Sequence, residues 1–361
     1  MKKTALHKSH LALNAKMGTF AGFEMPIQYS GVTKEHLAVR KNLGVFDVSH
    51  MGEFNISGPN SFGLLQRICS NDISKIAIGK AQYNYLPNRS GGIIDDLIVY
   101  RLDQESYLLV VNASNIEKDW KWIKKHNKEF RAHLEDCSKN TALLAIQGPK
   151  ALLAMQSLTD YPLNSLEFYS HTKANFACCE GVIIATTGYT GSGGIEIYFP
   201  VKQAELIWNA VLNAGKIYGI VPAGLAARDT LRTEMGYCLY GNEINETSSP
   251  IEAGLSWISK TETGFINSKY IADQKANGIE RKLIGFEMNM RAIPRSGYTI
   301  VSIKGVVIGR VTSGTQSPSI SKGIGLGYIK KSYSRTGTEI GILIRERIYT
   351  AHVVKLPFIK L

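Results

Sequence analysis

The sequence predicts an α+β fold that ends in an all-β module. Three observations carry this reading. Helix and strand signals alternate over the first 278 residues without a βαβ period or an internal repeat. Two antiparallel hairpins can be read within that stretch, and past about Gly278 strand patterns follow one another with no helical period. At roughly 100–200 residues per domain, 361 residues suggest two or three domains with ample material for a core.

The elements follow in order. Thr33 is placed to cap a helix over 34–43, with Gly44 as its stop. Gly91-Gly92 leads into a strand over 93–101, a turn at 103–106 follows, and 107–112 returns as its antiparallel partner. Ser114 and Glu117 have the spacing of a capping box, which predicts a helix through about His126. Pro149 suits the first turn of a helix through about Leu158. Strands over 179–185 and 194–199 bracket a glycine-rich turn, and 203–213 reads as a helix closed by Gly215. In the last module, 298–303 and 306–311 flank Lys304-Gly305, while 339–344 and 348–354 flank Arg345-Glu346-Arg347. Successive hairpins of this kind predict a small antiparallel β-barrel.

Composition excludes a disordered chain or a disulfide-stapled miniprotein. Cys69, Cys137, Cys178, Cys179 and Cys238 form no CxxC pair and no Cys/His ligand spacing, so reduced thiols and no metal are expected. The first twenty residues lack the apolar run of about 7–15 residues that a secretory signal needs. No stretch approaches the ~18 apolar residues of a membrane span. The expected setting is cytoplasmic. The net charge of +12 is uneven, because residues 281–361 alone carry +11. Such a region attracts an acidic protein, a polyanionic ligand tail or nucleic acid. No zinc-finger spacing or RNP-type aromatic motif accompanies the charge, so nucleic acid and membrane are not expected as partners.

Several familiar sites are absent: GxGxxG after a strand, the P-loop, HExxH and GxSxG. Asp47, Ser49 and His50 do not make a hydrolase triad, since neighbours on a strand point to opposite faces. Asp95 and Asp96 sit within a run that is apolar on both faces, so at least one carboxylate is expected in partly buried surroundings. Satisfying turn or strand-end amides is the plainer role for the pair. Glu196 follows a turn rich in glycine, Gly188 to Gly194, where the backbone can approach a flat ligand. Arg228 follows Pro222 to Ala227, where ion pairing at a helix end is the plain alternative. Tyr83, Tyr85 and Tyr100 either pack in the core or flank an aromatic ligand. Unaided, these residues describe an apolar cleft with a few carboxylates and an arginine, suited to a planar heteroaromatic molecule.

Read together, the segments resemble the aminomethyltransferases, the T-protein family of the glycine cleavage system. They run GTFAGFEMP (18–26), GVFDVSHMGE (44–53), GGIIDDL (91–97), QGP (147–149), GYTG (188–191), PAGLAARD (222–229), LRTEMGYCLYGNEI (231–244), GLSW (254–257), VTSGTQSP (311–318) and LPF (356–358). The resemblance spans nearly the whole chain.

It implies three domains in a cloverleaf around a central folate opening, with a C-terminal antiparallel β-barrel. The expected division is 1–278, as two intertwined subdomains (roughly 1–50 with 140–278, and 51–139), and then 279–361. It implies tetrahydrofolate as co-substrate, and as partners a lipoyl-bearing H-protein together with the P-protein and L-protein of the system. By position in the motifs, Asp96 is the implied catalytic residue, beside folate N-10. Glu196 falls at the pterin edge, with Arg228 near it; Tyr83, Tyr100, Asn112 and Tyr189 fall where the family lines its folate site. The family commonly has an acidic pair after GYTG, where this chain has Ser192 and Gly193. Two other readings share the implied fold: a folate-dependent demethylase, and an iron–sulfur assembly factor. The cysteine motif of the latter, KGCYxGQE, has no counterpart at 237–241. A nucleic-acid binder using the basic C-terminal region is the alternative of a different class.

Overall fold

The computed structural model describes residues 1–360. The chain divides into two compact units: residues 1–68, 72–84 and 96–228, and residues 69–71, 85–95 and 229–361.

The first unit contains a six-stranded sheet in the order His171–Phe176, Cys179–Ala185, Gly194–Pro200, Thr141–Gln147, Gly44–Asp47 and Val221–Pro222. Its pairs are antiparallel except the last, where Pro222 lies beside Val45 in parallel. Ile195, Ile197 and Phe199 point to one face and pack with Trp208 and Ile207 of the helix Ala204–Gly215. Burying this apolar side leaves Glu196 and Tyr198 on the other face by the alternation of the strand.

The strands Ile93–Asp103, Ser106–Val111, Gly52–Ser57 and His133–Asp136 are neighbours in that order in a five-stranded sheet, with Ala81–Pro87 at its edge. The hairpin read from the sequence is present, in the register Leu97 to Val111 and Ile98 to Val110. Glu53 pairs with Val110 on the other side. One sheet face is covered by the helix Ile116–Phe130: the Phe54 and Trp120 rings lie 4.9 Å apart, and a Cβ on Gly52 would meet Ile116 at 2.6 Å. Asp96, Ile98, Tyr100, Val110 and Glu53 therefore share the opposite face.

Two helix starts differ from the sequence reading. The helix Val32–Lys41 begins before Thr33, and its end is held by Glu35 instead. Glu35 Oε1 accepts from the amides of Tyr29, Ser30 and Gly31, and Oε2 from Gly224 at 2.9 Å. The Ser114 capping box does not form, because Ala113–Asn115 makes a 3₁₀ turn and the helix starts after it without a side-chain cap.

In the second unit six antiparallel strands close a barrel: Arg281–Met288, Gly323–Lys330, Val307–Gln316, Thr299–Ser302, Glu339–Ile344 and Arg347–Val354. Its interior holds Ile284, Phe286, Ile300, Ile340, Ile342 and Val353. The segment preceding the barrel is tied to it by buried charge. Arg232 donates to Glu243 at 2.9 Å, to Asp229 and to Ser313 Oγ, and Glu234 accepts from the Ser317 and Ser319 hydroxyls. Among the described residues no helix is long and apolar enough to cross a membrane.

Candidate active site

Asp96 lies half-buried near the start of its strand's course through the first unit. Tyr83 OH donates to its Oδ2 at 2.8 Å, and Asn112 Nδ2 donates to its Oδ1 at 2.9 Å. The hairpin makes this possible by bringing Asn112, just past the returning strand, level with Asp96. Donors on both oxygens fix its plane. Asp95 next door is completely buried.

Glu196 is buried on the face of the six-stranded sheet away from the helix Ala204–Gly215, with Oε2 accepting from Thr187 Oγ1 at 2.6 Å. Arg228 sits in the first turn of the helix Leu225–Met235. Its guanidinium lies over the Tyr189 ring, 4.8 Å from the centroid, and Nη1 is buried without a hydrogen-bond partner among the described residues. Burial pulls its pKa down, while the Glu196 charge pulls it up. A buried donor without a partner is costly.

The loop between these groups is held by Gln147, whose Nε2 donates to the carbonyls of Thr187 and Ile195 and whose Oε1 accepts from Thr190 Oγ1. Gly188 is required there, since a Cβ would come within 2.0 Å of Gln147 Oε1. Gly191 and Gly193 both have φ 72°, the left-handed region. Where the acidic pair is replaced, Arg40 donates to Ser192 Oγ at 2.7 Å and to the Thr190 carbonyl. Neither contact was legible in the sequence, because Arg40 lies 150 residues away from Thr190.

The other residues read from the sequence fall as follows. Tyr83, Asn112 and Tyr189 are half-buried beside Asp96 or Arg228. Tyr100 is fully buried and bonded to Thr187 and Tyr198, so it acts behind Glu196 rather than at an open surface. Tyr85 is core in the second unit, its hydroxyl 2.8 Å from Ser259 Oγ. The Asp47–Ser49–His50 triad is absent, though for a different reason than strand geometry. Ser49 and His50 lie in a turn, and Asp47 pairs with His10 Nε2 at 2.9 Å and Thr4 Oγ1 at 2.7 Å. Burial tends to raise the Asp47 carboxyl, and His10, Ser49 and Thr4 outweigh it. Burial drives His50 down to about 4, against the Asp47 charge and with help from Arg228. Among the described residues no group of three or more His, Cys, Asp or Glu is placed to hold a metal ion.

Fold and site define a two-module protein, and both modules match known families. The GCVT N-terminal domain matches residues 6–263 and the glycine cleavage T-protein C-terminal barrel domain matches 281–360. The chain is 56% identical over 360 residues to an aminomethyltransferase of Flavobacterium psychrophilum, and 55% identical over 362 residues to one of Bacteroides thetaiotaomicron. Each match covers 100% of both chains. The crystal structure of glycine cleavage system aminomethyltransferase T from Bartonella henselae matches with a TM-score of 0.93 and 33% identity, covering 99% of this chain and 98% of that one. The chain belongs to the glycine cleavage T-protein family.

Proposed function

We propose that the chain carries out the aminomethyl transfer of glycine cleavage on tetrahydrofolate, with Asp96 as its catalytic carboxylate. The methylene of an aminomethyl group, presented on the lipoyl sulfur of H-protein, passes to the folate as ammonia leaves. At that carbon the C–S and C–N bonds break and bonds to N-5 and N-10 form. The two protons shed by those nitrogens leave with the thiol and the ammonia. Asp96, fixed by Asn112 and Tyr83, accepts and passes on the N-10 proton as the ring closes. Glu196 accepts from the amino and ring N–H of the pterin edge, and Arg228 Nη1 donates to its ring oxygen. Tyr189 and Tyr83 flank the ligand.

The observation that carries this reading is the Asp96 carboxylate, held on both oxygens within a chain matched to the family end to end. General acid–base help of this kind supplies about 10²–10⁴ in rate, and alignment of the two substrates supplies more. The +11 charge of residues 281–361 suits an acidic H-protein, which would work in turn with the P-protein and L-protein in the cytoplasm.

The test is tetrahydrofolate-dependent ammonia release from an aminomethylated lipoyl carrier, with Asp96→Asn alongside. Release by wild type and not by the variant supports both reaction and residue. No release from a carrier shown to be competent with another T-protein rejects the reading, and small methyl donors are then tested.

A further inference from the structure

We propose that Tyr198, Tyr100 and Thr187 form a one-way hydroxyl chain that holds Glu196 as an acceptor. The inference deepens the folate reading of Glu196 and rests on it.

The polarity follows from counting protons. Thr187 Oγ1 donates to Glu196 Oε2 at 2.6 Å, which uses the only proton it has. The contact of 2.8 Å between Tyr100 OH and Thr187 Oγ1 must then run from Tyr100 to Thr187. Tyr100 has spent its proton in turn, so the 2.9 Å contact with Tyr198 runs from Tyr198 to Tyr100. All three residues are buried, and their contacts link the five-stranded sheet to the six-stranded one within the first unit. Burial, reinforced by the Glu196 charge, keeps both phenols far above their usual range, so neither ionises to interrupt the chain.

Tyr198 is left able only to accept. Glu53 lies on the same sheet face as Tyr100. It is 0% exposed, and neither carboxyl oxygen has a hydrogen-bond partner among the described residues. Burial first, and Asp136 second, hold its carboxyl well above the usual range. Thr187 and Tyr198 are thus positioning residues that act through Glu196.

The experiment measures tetrahydrofolate binding by calorimetry and turnover in parallel for wild type, Thr187→Val, Thr187→Ser and Tyr198→Phe. Thr187→Val, which keeps shape and removes the hydroxyl, is expected to weaken binding about tenfold, with the kinetic loss in KM rather than kcat. Thr187→Ser is expected to restore binding to within about twofold, since the donor returns. Tyr198→Phe should fall between them. Binding by Thr187→Val as tight as wild type, or by Thr187→Ser as weak as Thr187→Val, overturns the chain. Wild type that binds no tetrahydrofolate overturns the reading of Glu196 itself, and this inference with it.

Discussion

Asn112 grips Asp96 twice: Nδ2 donates to the carboxylate at 2.9 Å and to the backbone carbonyl at 3.1 Å. The double contact fixes where the carboxylate points and presents it as an acceptor. Replacing Asn112 by Asp puts a second anion against the first, whereas Ala only frees it. Turnover should therefore fall in the order wild type, Asn112→Ala, Asn112→Asp. Asp96→Asn should lose about 10²–10⁴ in kcat with smaller change in folate affinity. Steady-state kinetics on one carrier preparation checks both series.

Arg40 donates to the Thr190 carbonyl and the Ser192 hydroxyl of the glycine-rich loop. Arg40→Ala should loosen residues 190–192 and raise the folate KM by roughly three- to tenfold. Restoring an acidic residue, Ser192→Glu, places a carboxylate beside the guanidinium and should be tolerated. Equal KM for wild type and Arg40→Ala would remove the loop from the binding argument.

His50 makes the fold acid-sensitive. Its imidazole stays neutral when folded down to about 4, while the unfolded chain takes up a proton below about 6.5. The unfolded state thus binds more protons in that window, and stability falls with pH from about 6.5 to about 4, by about 3 kcal/mol in all. Urea unfolding of wild type and His50→Asn across that range should show a shallower slope for the variant.

Glu53 has the opposite dependence. Its pKa is raised on folding, so its cost begins once the unfolded carboxyl ionises above about 4.5 and grows with pH. Glu53→Gln should leave stability unchanged at pH 4 and raise the melting temperature at pH 8. A gain of equal size at both pH values would show that packing, not ionisation, is responsible.

In the second unit, Arg232→Ala strands a fully buried Glu243 and should cost about 3–5 kcal/mol. Chemical denaturation of the whole chain measures it.

The sequence made the strands and the barrel readable because alternation and turn residues are local signals. The 93–112 hairpin and the second barrel hairpin lie within a residue or two of their expected ends, while the strand read as 306–311 runs on to Gln316. Asp96 and Asn112 were reachable for the same reason, since a hairpin fixes who faces whom. Distant partners were not. His10 and Asp47 are 37 positions apart, and Arg40 reaches a loop 150 residues on. Nothing in the spacing of Thr187 and Tyr198 marks them, because their relation exists only where two sheets meet. The capping errors have a similar cause: Glu35 outbids Thr33 by collecting amides from a loop and from Gly224.

The serines of the barrel motif bear on how the protein can be cut. Ser313, Ser317 and Ser319 spend their hydroxyls on Arg232 and Glu234, side chains that enter from the polypeptide before the first barrel strand. A fragment started at residue 279 would keep every strand of the barrel yet lose the groups those hydroxyls were shaped around. A fragment started near residue 229 would carry its own counterparts. The compositional border and the mechanical border of this module therefore stand some fifty residues apart.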